Sequence, residues 1–211
     1  MAIIGLVGFA GSGKGTVADI LCDEFNFSKI AFADPLKDAV SAIFDWPRNL
    51  VEGDTVPSRV FREKPDSFWS EKFDRDFTPR EALQKLGTEA CRNVFDQDIW
   101  IYALEKRIDR ERNTVVTDVR FPNEIECIKR LGGHVVRVKR GKEPIWYETA
   151  HNHLHNEEYQ MYKKYPDVHI SEWAWIGHPL IQHVIDNNGS MYELKNNTIK
   201  LLHSLTKSAI I

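Results

Sequence analysis

The stretch GFAGSGKGT, residues 8–16, follows directly after the apolar run AIIGLV at residues 2–7. It holds four glycines in nine positions and a single lysine, Lys14. The apolar run is short and rich in β-branched residues, which predicts a buried strand over Ile3–Val7. Beyond the glycines, apolar residues recur at helical spacing, at Val17, Ile20, Leu21 and Phe25. The stretch therefore predicts a strand, a glycine loop and a helix in succession.

The glycine loop satisfies the pattern G-x-x-x-x-G-K. Glycines let successive backbone N–H groups turn inward, and the following helix directs the positive end of its dipole at the same place. The lysine reaches the β- and γ-phosphates of a nucleoside triphosphate in such loops. We therefore predict that ATP phosphates bind at Gly8, Gly11, Ser12, Gly13, Lys14, Gly15 and Thr16.

One position of the loop departs from the usual motif, which has Ser or Thr directly after the lysine. Here Gly15 follows Lys14, and the hydroxyl comes one residue later, at Thr16. That hydroxyl still lies in the first helical turn. Thr16 is therefore a candidate Mg²⁺ ligand, either directly or through a water molecule.

Short apolar runs alternate with helical patterns along the rest of the chain. Further strands are predicted at residues 29–33, 113–118, 134–138 and 182–187. The alternation predicts an α/β fold, with a five-stranded parallel sheet and helices on both faces. Ligands of such sheets bind beyond the carboxyl ends of the strands. We expect the glycine loop to share that edge with Asp34, Asp118 and Arg120.

Two polar segments interrupt this alternation. Residues 45–77 carry three prolines, two tryptophans and four phenylalanines without steady periodicity, and residues 140–175 are rich in His, Tyr and Trp. Such long segments inside a compact domain are usually lids, binding loops or inserted subdomains. We predict a single domain over residues 1–211, with an acceptor-binding insert at about 45–77 and a lid-like region at about 140–175.

Charge and cysteine content restrict the compartment and the partners. A net charge of −3 over 211 residues argues against broad adhesion to nucleic acid or anionic lipid. The three cysteines are scattered and form no CxxC pair, which favours a reducing compartment. No apolar run approaches the ~20 residues of a membrane span. We expect a cytoplasmic protein that binds neither nucleic acid nor membranes.

A glycine loop alone does not distinguish a kinase from a GTPase switch or a motor. The guanine-reading pattern Asn-Lys-x-Asp is absent, and Asp118 in VVTDVRF lacks the acidic neighbour that a motor would carry. A short chain with two polar segments suits a small kinase, in which one segment holds the acceptor and the other closes over the donor to exclude water. A sugar acid or dephospho-CoA as acceptor, and a non-catalytic ATP-binding regulatory protein, stay open as alternatives.

Five motifs occur in the order GFAGSGKGT, FADPLKDA, TPREALQKLGTE, VVTDVRFPNE and HISE. In this order they resemble the deoxynucleoside monophosphate kinases of tailed bacteriophages, over nearly the whole chain. The resemblance implies a P-loop NTPase fold. It also implies transfer of the γ-phosphate of ATP, with Mg²⁺, to a deoxynucleoside 5′-monophosphate for phage DNA synthesis in the host cytoplasm. Dimers are known in the family, so a homodimer also stays open.

Candidate acceptor-binding residues lie between residues 34 and 92. Lys37 is a candidate contact for the acceptor phosphate, or else an exposed helix lysine. Asp34 is a candidate for positioning metal, water or acceptor, or else the N-cap of the helix that Pro35 begins. A polar stripe with a four-residue spacing lines an acceptor cleft or forms a solvated helix face. Its members are Arg80, Gln84, Thr88 and Arg92, of which the resemblance favours the first three.

Lys14, Arg120 and Arg140 are the candidate catalytic residues. Asp118 is a candidate for holding Mg²⁺ through water and for contacting the acceptor, while Arg120 would neutralise transferring charge. A structural ion pair is the alternative for both. Arg140 begins the second polar segment and is a candidate lid arginine or a stacking partner for adenine. Arg137 is the weaker lid candidate, since it lies within a predicted strand.

Histidines and aromatic residues of the polar segments are expected to have ordinary roles. The stretch HNHLH contains His151, His153 and His155. His151 and His155, four residues apart, would share a helix face, but no third ligand lies at a convincing spacing to complete a metal site with them. We expect a solvated lid segment there. Four aromatic residues are expected to pack in a core, with stacking on a base as the alternative: Trp69, Phe73, Trp146 and Trp173.

Overall fold

The computed structural model of the chain describes residues 1–152 and 158–207. The chain divides into two compact units. Unit 1 comprises Met1–Ala31 and Ile108–Ile211, and unit 2 comprises Phe32–Arg107. Unit 1 therefore contains the glycine loop, and unit 2 contains the first polar segment.

Unit 1 is built on a five-stranded sheet. Its strands are β1 (Ile3–Val7), β2 (Ser28–Ile30), β3 (Thr114–Val116), β4 (His134–Lys139) and β5 (Ile181–Asp186). They lie in the order β2-β3-β1-β4-β5, and each neighbouring pair is parallel. The predicted five-stranded parallel sheet is confirmed. The second strand ends at Ile30 rather than at residue 33, because its neighbour β3 ends at Val116, the partner of Ile30.

Helices flank this sheet within unit 1 and also make up most of unit 2. In chain order they are α1 (Lys14–Phe25), α2 (Asp34–Phe44), α3 (Arg48–Val51), α4 (Val56–Glu63), α5 (Ser67–Phe73), α6 (Pro79–Gln84), α7 (Ile99–Arg107), α8 (Pro122–Arg130), α9 (Tyr147–His151), α10 (Glu158–Lys164) and α11 (Met191–Lys207). A π-helix spans Lys85–Arg92, and a 3₁₀ turn spans Ile170–Glu172. None of the described helices is both long and apolar enough to cross a membrane.

Alternating residues of β1 pack against opposite layers of unit 1. Ile4 and Leu6 are buried in one apolar cluster with residues of α1 and α11. Gly5, between them, faces α8, where a Cβ on this glycine would lie 3.1 Å from Ile128. Helices therefore cover both faces, as the alternation of strands and helices predicts.

Residues 45–77 form three short helices, α3–α5, rather than an irregular loop. Their core is aromatic: Trp46 stacks on Phe44 with ring centroids 4.7 Å apart, and Trp69 meets Phe44 edge-on at 5.1 Å. Asp66 caps α5 and also accepts a hydrogen bond from the Trp46 indole at 2.8 Å. The rings of Trp69 and Phe73 stack at 5.6 Å, so both residues pack within unit 2, and the 43% exposure of Phe73 leaves its stacking on a base as a prediction.

The helical segment that begins at Pro79 changes character halfway. Thr78 caps it by accepting from the Glu81 N–H at 3.2 Å, whereas the Glu81 carboxylate pairs with Arg75 and Lys85. After Gln84 the α-helix continues as the π-helix. The carbonyl of Gly87 in this segment accepts the Trp100 indole N–H at 3.0 Å. A π-helical segment inside a helix is rare and frequently accompanies a functional site.

The start of α2 corrects one prediction. Ala33 is the N-cap of this helix, Asp34 is its first residue, and Pro35 is the second. The prediction that Asp34 is the N-cap is therefore wrong by one position. Asp34 still lies in the first turn, where a carboxylate is favoured by the helix dipole.

Candidate active site

The glycine loop joins β1 to α1, and its backbone needs glycine at two positions. Gly8 has φ of 145°, and a Cβ there would lie 2.4 Å from the carbonyl oxygen of Val138. Gly13 has φ of 100°, and a Cβ there would lie 2.3 Å from Asn187 Nδ2. A residue with a Cβ would be strained by the positive φ at both positions and would crowd Val138 or Asn187.

A second polar side chain holds the loop from behind. Asn187, just after β5, donates from Nδ2 to the carbonyl of Ser12 at 2.8 Å. Sequence analysis missed this residue, and the only local signal was the polar run DNNGS after the last strand. Ser12 is 3% exposed, and within the described part of the chain its Oγ has no hydrogen-bond partner. Because an unpaired buried hydroxyl is costly, this atom suits a ligand that supplies the missing bond.

Lys14 folds back over the loop. Its Nζ donates to the carbonyl of Gly8 at 2.6 Å and to that of Phe9 at 3.0 Å. Burial and, to a lesser extent, the nearby Arg120 lower the pKa of Lys14 from 10.5 to about 8, against Glu172 and Asp118, which raise it. Since its hydrogen-bond acceptors are neutral carbonyls, the ammonium charge is not cancelled by its direct contacts.

The turn after β3 brings Asp118 and Arg120 into the electrostatic environment of Lys14. Glu124 holds this turn by accepting from the Arg120 N–H at 2.8 Å and the Phe121 N–H at 3.2 Å. The Arg120 side chain is half exposed and lies 3.7 Å from Glu172. Glu172 was not singled out by residue, although it belongs to the quoted motif HISE. The loop, Asp118 and Arg120 therefore do converge within unit 1.

Arg140 lies directly after β4 and is exposed. The next residue, Gly141, donates its N–H to Asn188 Oδ1 at 2.7 Å. This bond ties the start of the second polar segment to the loop that follows β5. Arg140 thus has the exposure that a lid arginine needs.

Unit 2 contains a network of paired charges at the start of α2. Lys37 is only 9% exposed, so its alternative interpretation as an exposed helix lysine is wrong. Its Nζ donates to Glu52 and lies 3.7 Å from Asp34. Arg48 bridges Glu52 at 2.5 Å and Asp34 at 3.4 Å. Burial opposes ionisation of Glu52, but hydrogen bonds from Lys37 and Arg48 outweigh it and lower the pKa of that carboxyl.

The predicted polar stripe of unit 2 runs from α6 into the π-helix. Gln84 and Thr88 are exposed, whereas Arg80 pairs with Glu63 and Arg92 donates to the Gln97 carbonyl at 3.1 Å. In a π-helix each turn takes more residues than in an α-helix, because N–H groups bond five residues back. Residues four positions apart therefore drift less around the surface of the helix than they would in an α-helix.

The remaining predictions concern histidines and aromatic residues. His151 ends α9 and is exposed, while His153 and His155 lie outside the described residues. Across residues 1–152 and 158–207, no group of three or more His, Cys, Asp or Glu side chains could hold a metal ion. Trp173 is 1% exposed and belongs to the core of unit 1. Trp146 instead packs edge-on against Phe9 of the glycine loop, at 5.4 Å between ring centroids.

Comparison with known proteins identifies the family. Residues 48–198 match the family described as "Deoxynucleotide monophosphate kinase". A protein of Acanthamoeba polyphaga mimivirus named "Putative deoxynucleotide monophosphate kinase" is 33% identical over 154 residues, covering 66% of this chain and 75% of the relative. The "Deoxynucleoside-5'-monophosphate kinase" of Escherichia phage T5 is 28% identical over 178 residues, covering 60% and 71%.

Among solved structures, shikimate kinase from Bacteroides thetaiotaomicron superposes with a TM-score of 0.47 at 13% identity, covering 97% of this chain and 98% of that one. Dephospho-CoA kinase from Campylobacter jejuni gives 0.43 at 15% identity, with 96% of each chain covered. Likeness at this level says nothing about the substrate. The family match and the two relatives confirm the resemblance that the motifs predicted, and the chain belongs to the deoxynucleotide monophosphate kinase family.

Proposed function

We propose that this protein transfers the γ-phosphate of ATP to a deoxynucleoside 5′-monophosphate, yielding ADP and a deoxynucleoside diphosphate. The observation that carries the donor half is the glycine loop, where the Ser12 hydroxyl is buried without a partner in the described chain and Lys14 is held by neutral carbonyls. A bound polyphosphate would supply acceptor oxygens to both groups. Membership of the family supports the acceptor half.

The donor site works by placement rather than by covalent chemistry. Phosphoryl transfer needs positioning and positive charge around the equatorial oxygens, since the protein forms no bond to the phosphoryl group. The N–H groups of residues 8–16 cradle the phosphates, and Lys14 donates its third N–H to a phosphate oxygen while the carbonyls of Gly8 and Phe9 hold the other two. Arg120, half exposed beside Glu172, supplies a second cation. Arg140, exposed at the start of the lid-like region, closes over the donor and helps to exclude water.

The same neighbourhood has oxygen donors of the kind that Mg²⁺ prefers. Thr16 lies in the first turn of α1, and Asp118 lies close enough to Lys14 to affect its pKa. We assign Thr16 and Asp118 as the residues that hold Mg²⁺, in part through water. When bound, the ion neutralises charge on the β- and γ-phosphates.

For the acceptor we assign the exposed stripe of unit 2. Arg80 would bind the 5′-phosphate, and Gln84 and Thr88 would contact the base or sugar, since both are exposed. Arg92 belongs to the same stripe, but its guanidinium donates a hydrogen bond to the Gln97 carbonyl, so we assign it a supporting role beside the acceptor. Asp34 and Lys37 support the acceptor region through their ion network, because Lys37 is buried and already paired.

An acceptor panel tests this proposal. ADP release from ATP is measured with each of the four deoxynucleoside monophosphates, their ribose counterparts, gluconate and dephospho-CoA. We expect turnover with one or more deoxynucleoside monophosphates. Turnover confined to gluconate or dephospho-CoA would contradict the acceptor assignment. ATP binding without turnover on any acceptor would favour a regulatory ATP-binding protein instead.

The T5 relative is a phage protein, which supports a role in making DNA precursors. We place this activity in the cytoplasm of the infected host. The three cysteines, all within the described residues, form no disulfide.

A further inference from the structure

Arg137 of β4 lies directly beside the start of the glycine loop. In the sheet register it is the partner of Val7, the last residue of β1. Phe9, two residues further along, belongs to the loop itself. The sequence makes Arg137 the weaker lid candidate because it lies within a predicted strand, and the structure gives it a different environment.

Three aromatic rings surround the Arg137 guanidinium. Its Cζ lies 5.8 Å from the ring centroid of Phe9, 5.0 Å from that of Tyr147 and 5.3 Å from that of Trp175. Phe9 also contacts Trp175 directly, with centroids 5.2 Å apart. A cation over aromatic faces is attracted by their negative charge, most strongly when water is removed. The Arg137 side chain is 12% exposed, so this condition is met.

Hydrogen bonds occupy both terminal nitrogens of the guanidinium, whereas its Nε is buried without a hydrogen-bond partner among the described residues. Nη2 donates to both carboxylate oxygens of Glu143 at 2.7 Å, and Nη1 donates to the Tyr147 hydroxyl at 2.8 Å. Both partners belong to the lid-like region. A phosphate would have to break these bonds to reach a terminal nitrogen, and Nε is buried, so the geometry does not make Arg137 a phosphate ligand.

The ring of Phe9 connects this cluster to Lys14. The carbonyl of Phe9 accepts from Lys14 Nζ at 3.0 Å and from the Ser12 N–H at 3.1 Å. A shift of Phe9 would therefore move the acceptor that positions the lysine and the turn that carries Ser12. Trp175 extends the connection, because its indole N–H bonds to the carbonyl of Glu172, beside Arg120.

We propose that Arg137 is a positioning residue for the phosphate loop. It holds Phe9, and through it Lys14, in the conformation that binds ATP, and it anchors the loop to Glu143 and Tyr147 of the lid-like region. This inference rests on the ATP site proposed above but not on the identity of the acceptor. It predicts that loss of the guanidinium weakens ATP binding without direct contact to ATP.

The test measures ATP binding by calorimetry in the absence of acceptor, for Arg137→Met, Phe9→Leu and the double variant. We expect the dissociation constant for ATP to rise about tenfold in Arg137→Met, the size expected for loss of a desolvated cation–π contact. The double variant should bind no more weakly than the poorer single variant, because both changes act through Phe9. Arg110→Met, an exposed arginine of unit 1, is the control and should leave binding unchanged.

Kinetics and stability separate positioning from general damage. The KM for ATP should rise in Arg137→Met, while the KM for the acceptor stays within twofold. ATP affinity within twofold of the parent protein, or effects that add in the double variant, would overturn the proposal. If Arg137→Met does not fold, Arg137→Lys keeps the charge but loses the forked geometry, and it should still weaken ATP binding. ATP binding that responds in this way without any kinase turnover would contradict the acceptor assignment alone.

Discussion

Lys14 in unit 1 and Lys37 in unit 2 both follow the carboxyl end of a strand, yet their partners differ. Lys14 donates to the carbonyls of Gly8 and Phe9, which carry no net charge. Lys37 donates to the Glu52 carboxylate and lies near Asp34. An anion that approaches Lys14 meets a charge that its direct partners do not cancel. An anion that approaches Lys37 must compete with a carboxylate for it.

This difference shows how two lysines in similar sequence positions acquire different roles. Neutral dipoles replace part of the hydration that a buried cation loses, and the cation still attracts an anion. A buried cation paired with carboxylates contributes mainly to the structure around it, and removing one partner leaves the other unpaired. The comparison leads to three predictions, the first of which carries the largest effect.

Lys14→Ala should abolish most of the activity. We expect a loss of about 2–4 kcal/mol in transition-state stabilisation, comparable to removing one preorganised donor at a site of developing charge. The measurement is kcat/KM for ATP, with the preferred deoxynucleoside monophosphate held at saturation. Unfolding by denaturant should show a folded protein, since Lys14 makes no ion pair within hydrogen-bonding distance in the described residues. Near-normal turnover would remove Lys14 from the donor site.

Lys37→Met should affect stability more than ATP binding. We expect the free energy of unfolding to fall by about 1–2 kcal/mol, because Glu52 loses a donor in a partly buried network. Denaturant unfolding measures this change, and calorimetry with ATP should give an unchanged affinity. Lys29→Met is the matched control, since Lys29 pairs with Asp19 on the surface, where such pairs contribute about 0–1 kcal/mol.

One outcome for Lys37→Met would contradict the structural role given to Lys37. If stability stays unchanged while the KM for the acceptor rises strongly, Lys37 exchanges Glu52 for the acceptor phosphate during turnover. The double variant Lys37→Met with Glu52→Leu sharpens the test. It should recover part of the lost stability, because it removes the carboxylate that the single change leaves short of a donor.

The third prediction is a pH dependence of ATP binding. In the free protein the pKa of Lys14 is about 8, below its usual 10.5, so Lys14 loses its proton as the pH rises through that value. Above pH 8, ATP must restore the proton, and its affinity should fall by up to about tenfold per pH unit. Calorimetry in two buffers of different ionisation enthalpy should then show proton uptake. Lys14→Arg, which stays protonated, should remove the dependence.

The same shift has an opposite consequence for the stability of the ATP-free protein. Between pH 8 and 10.5 the unfolded chain keeps a proton on Lys14 that the folded chain has released. Stability rises with pH wherever the unfolded state binds more protons, so the contribution of Lys14 becomes more favourable across this window. Below pH 8 both states are protonated, and the folded protein carries the cost of the buried ammonium. If the contribution of Lys14 to the free energy of unfolding became less favourable as the pH rises from 8 to 10.5, that result would contradict the lowered pKa of Lys14.

Local patterns were sufficient for much of unit 1. The strand Ile3–Val7 and the glycine loop were predicted from a few consecutive residues, because apolar runs, glycines and helical spacing encode them directly. The end of the second strand was not, since it depends on where β3 stops. The three helices within residues 45–77 were also missed. These helices pack around the rings of Phe44 and Trp46, and no periodic sequence pattern marks them.

Site residues that touch across distant segments were the hardest to predict. Asn187 bonds to Ser12 across 175 positions of sequence, and Arg137 contacts Phe9 only because β4 is the neighbour of β1. The π-helix was missed for a different reason. Residue preferences do not distinguish bonds to the fourth residue back from bonds to the fifth.

By itself the sequence determined the α/β class, the phosphate loop and the family, because each depends on short segments whose chemistry is local. Only the tertiary structure decided which charged side chains of the candidate site are neutralised by an oppositely charged partner and which are not. Burial and partner identity set the charge balance of Lys14, Lys37 and Arg137. Those partners come from segments that the fold brings together, and Coulomb energies and desolvation depend on that distance and exposure rather than on position along the chain.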